Sequence, residues 1–205
     1  MEIVITVSRQ LGAGGTQIAS SVASRLGLAL VDRQILDRVA EEAGVPTGLV
    51  EAVDESPAAV KQRPRSVRPG APPVTYSQLI QSAIYETARK GDVLILGRGA
   101  HLLLQGMPGL LRVKIIAPVE KRVQSLSERL SLSRSAAERA IRDSDRNRAA
   151  YIKAVYGRDW MEMSCYDLVI NTAQIDRETA VEIICLAAEA LRRTSAQGDT
   201  GSMAS

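Results

Sequence analysis

The first 26 residues do most to limit what this chain can become. MEIVITVS is a run of β-branched residues apolar on both faces; QLGAGG follows, then TQIASSVASRL. Ile18, Val22 and Leu26 recur at helical spacing, and Gly27 stands where a helix would end. A two-faced apolar strand that turns through glycines straight into a helix fits a parallel sheet covered by helices on both sides. The same two-faced apolarity recurs in VLILG, LLRVKIIA and YDLVIN, while LALVD reads as a short strand that delivers Asp32 at its end. The expected strands are Ile3–Val7, Val93–Leu96, Arg112–Ile116 and Leu168–Ile170, with LALVD beside them.

Helices are expected between them. Arg33–Ala43 carries Ile35, Leu36 and Val39 on one side and stops at Gly44; Thr47–Val53 reads as a further short helix. Thr75 is placed to cap YSQLIQSAIYETARK, which Gly91 ends. Pro118 suits the first position of a helix, Ser135 and Glu138 have capping-box spacing, and Glu178–Arg193 forms a last amphipathic helix. The class is therefore α/β, a three-layer α/β/α sandwich with a mainly parallel sheet. The 205 residues, 45% of them hydrophobic, supply one core and leave too few for two full-size domains. One domain over 1–194 is expected. It carries a Pro-rich basic insert at 54–73, either a solvated loop or a flap, and a flexible tail at 195–205.

Composition excludes several classes of function. Aromatics make up 3% and Phe is absent, which disfavours a nucleic-acid binder built on stacked rings. A formal charge of +3 suits a small polyanion at least as well as nucleic acid. Cys165 and Cys185 have no metal or redox spacing and His101 is the one histidine, so a Cys/His zinc site is out. With no run of 18 apolar residues and no signal-type core, a cytoplasmic protein without membrane contact is expected. Homo-oligomerisation stays open.

A glycine turn at a helix start is a device for anions. Consecutive backbone N–H groups curl around phosphate oxygens and the helix aims its positive end at them. Against G-x-x-x-x-G-K-[ST], RQLGAGGT puts Arg9 at the first Gly, Gly15 at the Lys and Thr16 at the hydroxyl. Leu11, Gly12, Ala13, Gly14, Gly15 and Thr16 are the candidate nucleotide-phosphate loop, with Thr16 the candidate magnesium contact. The alternative is a merely structural turn. Asp32 either orients an acceptor or caps the helix after it. Arg98, between two glycines at a strand end, either binds an acceptor phosphate or makes a structural ion pair. His101 reads as a packed side chain.

The densest cationic stretch is ERAIRDSDRNRAAY. On one helix, Arg139, Arg142 and Arg146 share a face and Asp145 and Arg148 a neighbouring one. Phosphoryl transfer needs positive charge spread over the equatorial oxygens, which arginines supply. Arg9, Arg142, Arg146 and Arg148 are the candidate catalytic cations, and Asp145 is expected to orient one of them. A solvated, salt-bridged helix is the alternative.

Taken together, ITVSRQLGAGG, LVDRQILDRVA, VLILGRGA, RVKIIAPVEKRV, IRDSDRNRAAYIKAVYGRDW and YDLVINT resemble the cytidylate kinase-like family, a branch of the P-loop nucleoside monophosphate kinases. The resemblance runs from Glu2 to about Leu191. It implies an ATP- and Mg2+-dependent kinase, with donor phosphates over Leu11–Thr16. It also implies an acceptor, a nucleoside monophosphate or a related small phosphorylated or hydroxyl compound, framed by Asp32, Arg38 and Arg98. Arg129, Arg142, Asp145, Arg146 and Arg148 would close from a lid side. A nucleotide-binding regulatory module of the same fold is the second reading. The loop lysine is absent, Gly99 stands where cytidylate kinases have an acidic residue, and 54–73 matches their larger insert poorly. One arrangement separates a kinase from a nucleic-acid binder. A kinase needs Arg9, Arg98 and Arg148 in one cleft at the strand ends, whereas a nucleic-acid binder needs them on an open stripe.

Overall fold

The computed structural model describes residues 2–32, 34–43 and 75–198. The expected helix at 47–53, the insert at 54–73, Arg33 and Gly44 lie outside the described residues. Five parallel strands form one sheet: β1 (Val4–Arg9), β2 (Ala29–Val31), β3 (Val93–Leu96), β4 (Leu110–Ile116) and β5 (Leu168–Asn171). Their order is β2-β3-β1-β4-β5. The chain leaves the central β1 for one edge, returns through β3, and then crosses to the far side at β4. The C-terminal end of β1 therefore lies where the winding changes direction, the place where open α/β sheets bind ligands.

Two-faced strands need two layers of helices. On one face, α1 (Gly15–Leu26) and α7 (Arg177–Gly198) pack Ile18, Val22, Val181 and Ile184 against Ile5, Val7, Val113 and Ile115. On the other, α2 (Gln34–Ala43), α3 (Tyr76–Ala88) and the short α4 (Ala100–Leu103) cover Val4, Val93 and Ile95, joined by Tyr151, Ile152 and Trp160. A helical hairpin stands beyond the sheet: α5 (Val119–Leu130) and α6 (Arg134–Tyr156) share a small core of Val123, Leu126, Ala137 and Ile141. The architecture is the expected three-layer α/β/α sandwich.

Caps account for most helix boundaries. Gly27 closes α1 in the left-handed region at φ 65. Thr75 caps α3 through a reciprocal box with Gln78. Two expectations shift. Pro118 is the N-cap of α5 and not its first residue. Ser135 and Glu138 do not open α6: Ser133, in extended backbone, accepts from the Ala136 amide (3.3 Å), while Glu138 pairs with Arg134 at 3.0 Å. A serine two residues earlier already faces the free amides, so Ser135 falls inside the first turn. The last helix runs to Gly198, into the stretch read as tail.

Thr75→Ala removes both halves of the α3 cap and should cost about 1 kcal/mol in a chemical denaturation titration. An unchanged midpoint would show that α3 is held by its packed face alone.

Candidate functional site

The C-terminal end of β3 is conformationally costly. Gly97, Arg98 and Gly99 follow one another at φ 82, 58 and 70. The left-handed region is natural for glycine but costs an arginine about 1–2 kcal/mol. Three contacts hold it. Arg98 Nη1 donates to the Leu96 carbonyl (3.1 Å) and to Asp32 Oδ1 (2.9 Å), and Tyr156 Oη donates to the Arg98 carbonyl (3.2 Å). A Cβ on Gly99 would lie 2.3 Å from the Tyr156 ring, so no acidic side chain fits there. Arg98 ends only 3% exposed, with its guanidinium turned back over the strand ends.

Arg9 leaves the end of β1 beside it, and Arg148 arrives from α6, its Nη1 donating to Ser144 Oγ at 2.8 Å. Arg9, Arg98 and Arg148 line one narrow cleft with Ser8, His101 and Trp160. Its cavity volume of about 10 Å³ is room for one water, so a phosphate enters only as these side chains swing aside. His101 is buried and stacked on Tyr166, with centroids 4.5 Å apart, which fits the packed role expected of it.

The glycine loop lies next to this cleft. Gly12 and Gly14 take φ 85 and 79, and α1 begins at Gly15. A Cβ on Gly12 would lie 2.6 Å from the Arg122 carbonyl oxygen, so the loop touches the backbone of α5. Its carbonyls are held from outside: Thr172 Oγ1 donates to Ala13 O (3.0 Å) and Arg122 Nη1 to Leu11 O (3.4 Å). Ala13 N–H turns back to Gln10 O at 3.2 Å, so it is not aimed at a ligand with the rest of the loop. The first-turn amides from Gly15 onward have no intrahelical partner, and the exposed Thr16 hydroxyl stands among them. At Gly15 a Cβ would meet Arg9 Cβ at 2.5 Å, so the root of Arg9 fills the space a loop lysine would need.

The remaining candidates divide. Asp32 serves as the partner of Arg98. Asp145 does not orient another arginine of α6. It takes a two-pronged pair from Arg122 of α5, at 3.0 and 2.6 Å, because Arg122 is buried (2% exposed) and needs a carboxylate there. Arg142 and Arg146 face solvent, the latter paired with Asp143 at 2.8 Å, since Ile141, Tyr151 and Ile152 take the packed side of α6. Arg129 reaches the loop and not the cleft: with its amide turned to satisfy both neighbours, Gln17 accepts from Arg129 Nη1 (2.9 Å) and donates to Gly14 O. Arg38 pairs with Glu42 one turn along α2 and clamps α2 to α3 through Glu86.

Lys114 was not among the residues singled out from the sequence. It is wholly buried in β4, with Nζ donating to the Trp160 carbonyl and to Tyr166 Oη. Burial pushes its pKa down to about 8. A charge inside the apolar run LLRVKIIA, and another on the inward side of α5 at Arg122, are the sequence signals that mark the two. Among the described residues no group of three His, Cys, Asp or Glu could hold a metal ion. With the described residues, magnesium would fit as an ion carried by phosphates, and the Thr16 hydroxyl would be the side chain available to it.

A family model described as the cytidylate kinase-like family matches residues 4–174. The chain belongs to that family. Its cytidylate kinase relatives include those of Ignicoccus hospitalis, 28% identical over 88% of this chain and 96% of that protein, and of Pyrococcus horikoshii, 28% identical over 98% and 94%. A solved structure of an uncharacterized protein from Eubacterium ventriosum superposes with a TM-score of 0.72 at 22% identity, covering 93% of this chain and 99% of that one. Shikimate kinase from Bacteroides thetaiotaomicron has a TM-score of 0.55 at 13% identity, over 92% and 99%. The family thus has the P-loop kinase-like fold, one suited to phosphoryl transfer. Among the described residues no helix is long and apolar enough to cross a membrane.

Lys114 makes stability depend on pH with a definite sign. The folded chain releases this proton near pH 8, while the unfolded chain keeps it to about 10.5. Between those values the unfolded state binds more protons, so stability rises with pH. Denaturation curves should show this rise in the wild type relative to Lys114→Met from pH 8 to 10. Parallel curves would show that Lys114 titrates like an exposed lysine.

Proposed function

We propose that the protein transfers a phosphoryl group from ATP, with magnesium, to a nucleoside monophosphate of the cytidylate type. The observation that carries this reading is the gathering of Arg9, Arg98 and Arg148 in one cleft beside the glycine loop. An enclosed set of guanidiniums suits a small polyanion, whereas nucleic acid requires cations on an open stripe.

The lining of the cleft supports this choice of acceptor. Arg98 and Arg148 bring planar donors to the cleft that match an acceptor phosphate. A hydroxyl acceptor needs a base to take its proton. A phosphate acceptor does not, being largely ionised near neutral pH with a second pKa of about 6. Converging guanidiniums and an acceptor that needs no base fit a nucleotide.

Donor phosphates would lie on the first-turn amides of α1, near Thr16. Magnesium, when bound, neutralises phosphate charge there. Arg9 stands between the two halves of the site and balances charge on the transferring group, the work a loop lysine would otherwise do. Asp145 holds Arg122, and through it the Leu11 carbonyl, so it positions the loop and does not act as a base.

Gly15 in place of the lysine favours a second reading, a nucleotide-binding regulator without transfer. ADP release from ATP-Mg separates the two when CMP, UMP, AMP, GMP, shikimate and gluconate are compared as acceptors. Turnover is expected with CMP foremost, and Arg98→Ala should raise the acceptor KM by about 10–100-fold without an equal loss of Tm. Gly15→Lys should not increase the rate. No ADP release with any acceptor, or a trace activity raised by orders of magnitude in Gly15→Lys, would replace the kinase with the regulator.

A further inference from the structure

The cleft is backed by a buried chain of hydrogen-bond donors. Lys114 lies opposite Ser8 in the β1–β4 register. Its ammonium sits over the Trp160 and Tyr166 rings, 4.4 and 4.7 Å from their centroids. An ammonium can only donate. Tyr166 Oη therefore accepts from Lys114 (3.2 Å) and must pass its own hydrogen on, to Ser8 Oγ (3.4 Å) or to the Trp160 carbonyl (3.3 Å). That carbonyl already receives Lys114 on one of its two lone pairs, which makes Ser8 Oγ the less crowded acceptor. Trp160 Nε1 also donates to Ser8 Oγ, at 3.2 Å. A hydroxyl has two lone pairs and one hydrogen. With Trp160 and Tyr166 filling the lone pairs, the hydrogen of Ser8 is left for the cleft, which Ser8 lines while only 6% exposed.

We propose that Ser8 is an anion-contacting residue of this cleft and that Lys114, acting through Tyr166, is the positioning residue that turns the Ser8 hydrogen toward a phosphate oxygen. This deepens the kinase reading and rests on it for the identity of the anion. The donors run in one sense, from ammonium to phenol to hydroxyl to ligand, so a cation too deep to touch the phosphate still polarises the group that does. It also explains why an expensive buried lysine is kept in a strand whose neighbours are apolar.

The arrangement is sensitive to pH because the lysine is. Burial is the main reason its proton is lost near pH 8. Asp159 after α6 and Asp145 on α6 oppose that loss, as does Cys165 in the turn Met163–Cys165, while Arg148 favours it. His101 of α4 stacks on the Tyr166 ring. Burial pushes Tyr166 itself up to about 12, so its hydrogen is retained throughout. A neutral Lys114 can accept from Tyr166, the phenol turns back, and Ser8 is no longer held with its hydrogen outward.

Inorganic sulfate, dianionic from pH 7 to 9, is the probe. Its dissociation constant would be measured by calorimetric titration at both pH values for the wild type, Ser8→Ala, Tyr166→Phe and Lys114→Met. The wild type should lose about tenfold in affinity between pH 7 and 9, and each variant should start about tenfold weaker at pH 7 with no further loss. Ser8→Ala and Tyr166→Phe each remove one oxygen, so they carry the test if Lys114→Met fails to fold. Wild-type sulfate affinity in Ser8→Ala, an undiminished pH drop in Tyr166→Phe, or no sulfate binding by the wild type would overturn the proposal. ADP release with CMP, followed in parallel, separates the two readings. The expected sulfate pattern without turnover upholds the donor chain and removes the kinase. Turnover with an unchanged acceptor KM in Ser8→Ala does the reverse.

Discussion

The contact between Gly15 and Arg9 governs how this site handles charge. A Cβ at position 15 would lie 2.5 Å from Arg9 Cβ and 3.3 Å from Ile115 Cβ, so no side chain fits without moving the end of β1. The loop thereby forgoes a lysine, and the cations of the neighbouring cleft come from three separate places: Arg9 from β1, Arg98 from the turn after β3 and Arg148 from α6. A lysine on the loop would be placed by the loop alone. Three arginines from separate parts of the chain are placed together only when the sheet ends and the α5–α6 hairpin keep their relative positions.

Arg122 supplies that registration. It is buried, grips Asp145 of α6 with both terminal nitrogens, and reaches the Leu11 carbonyl of the loop. A buried pair of this kind adds little net stability, because desolvation offsets the attraction, but breaking it strands a charge. Its value here is geometric, since one side chain ties the glycine loop to the helix that carries Arg148. The small core of Val123, Leu126, Ala137 and Ile141 makes the hairpin a unit of its own, and such a unit is suited to moving as one piece when a ligand enters. The left-handed Arg98 and the buried Lys114 are two further sites where the fold accepts a local cost beside the same cleft.

Much of this was legible in the sequence. Apolar runs marked the buried strands, since a strand covered on both faces is mostly apolar on both, and the glycine turn marked the start of α1. The gathering of Arg9, Arg98 and Arg148 was legible only as the arrangement a kinase needs, and the fold brings the three to one cleft. Asp145 shows where such reading stops: its neighbours on α6 were four arginines, yet its partner is Arg122, 23 residues away. Helical spacing tells which residues share a face but not which face is packed, and so Arg142 and Arg146 were grouped with the site although they point to solvent. The cap at Ser133 was hidden by a second serine two positions on. Lys114 and Arg122 were visible as charges on apolar faces, but their hydrogen-bond partners depend on tertiary contacts that local patterns do not encode.

The most direct test is a crystal structure with CMP and a non-hydrolysable ATP analogue bound together. The CMP phosphate should lie within hydrogen-bond reach, roughly 3 Å, of the Arg98 and Arg148 guanidinium groups. The donor β-phosphate should rest on the first-turn amides of α1, with Arg9 between the two. A CMP phosphate held instead by Arg142 and Arg146 on the outer face of α6, with Arg98 still closed on Asp32, would contradict a site built on the three converging arginines.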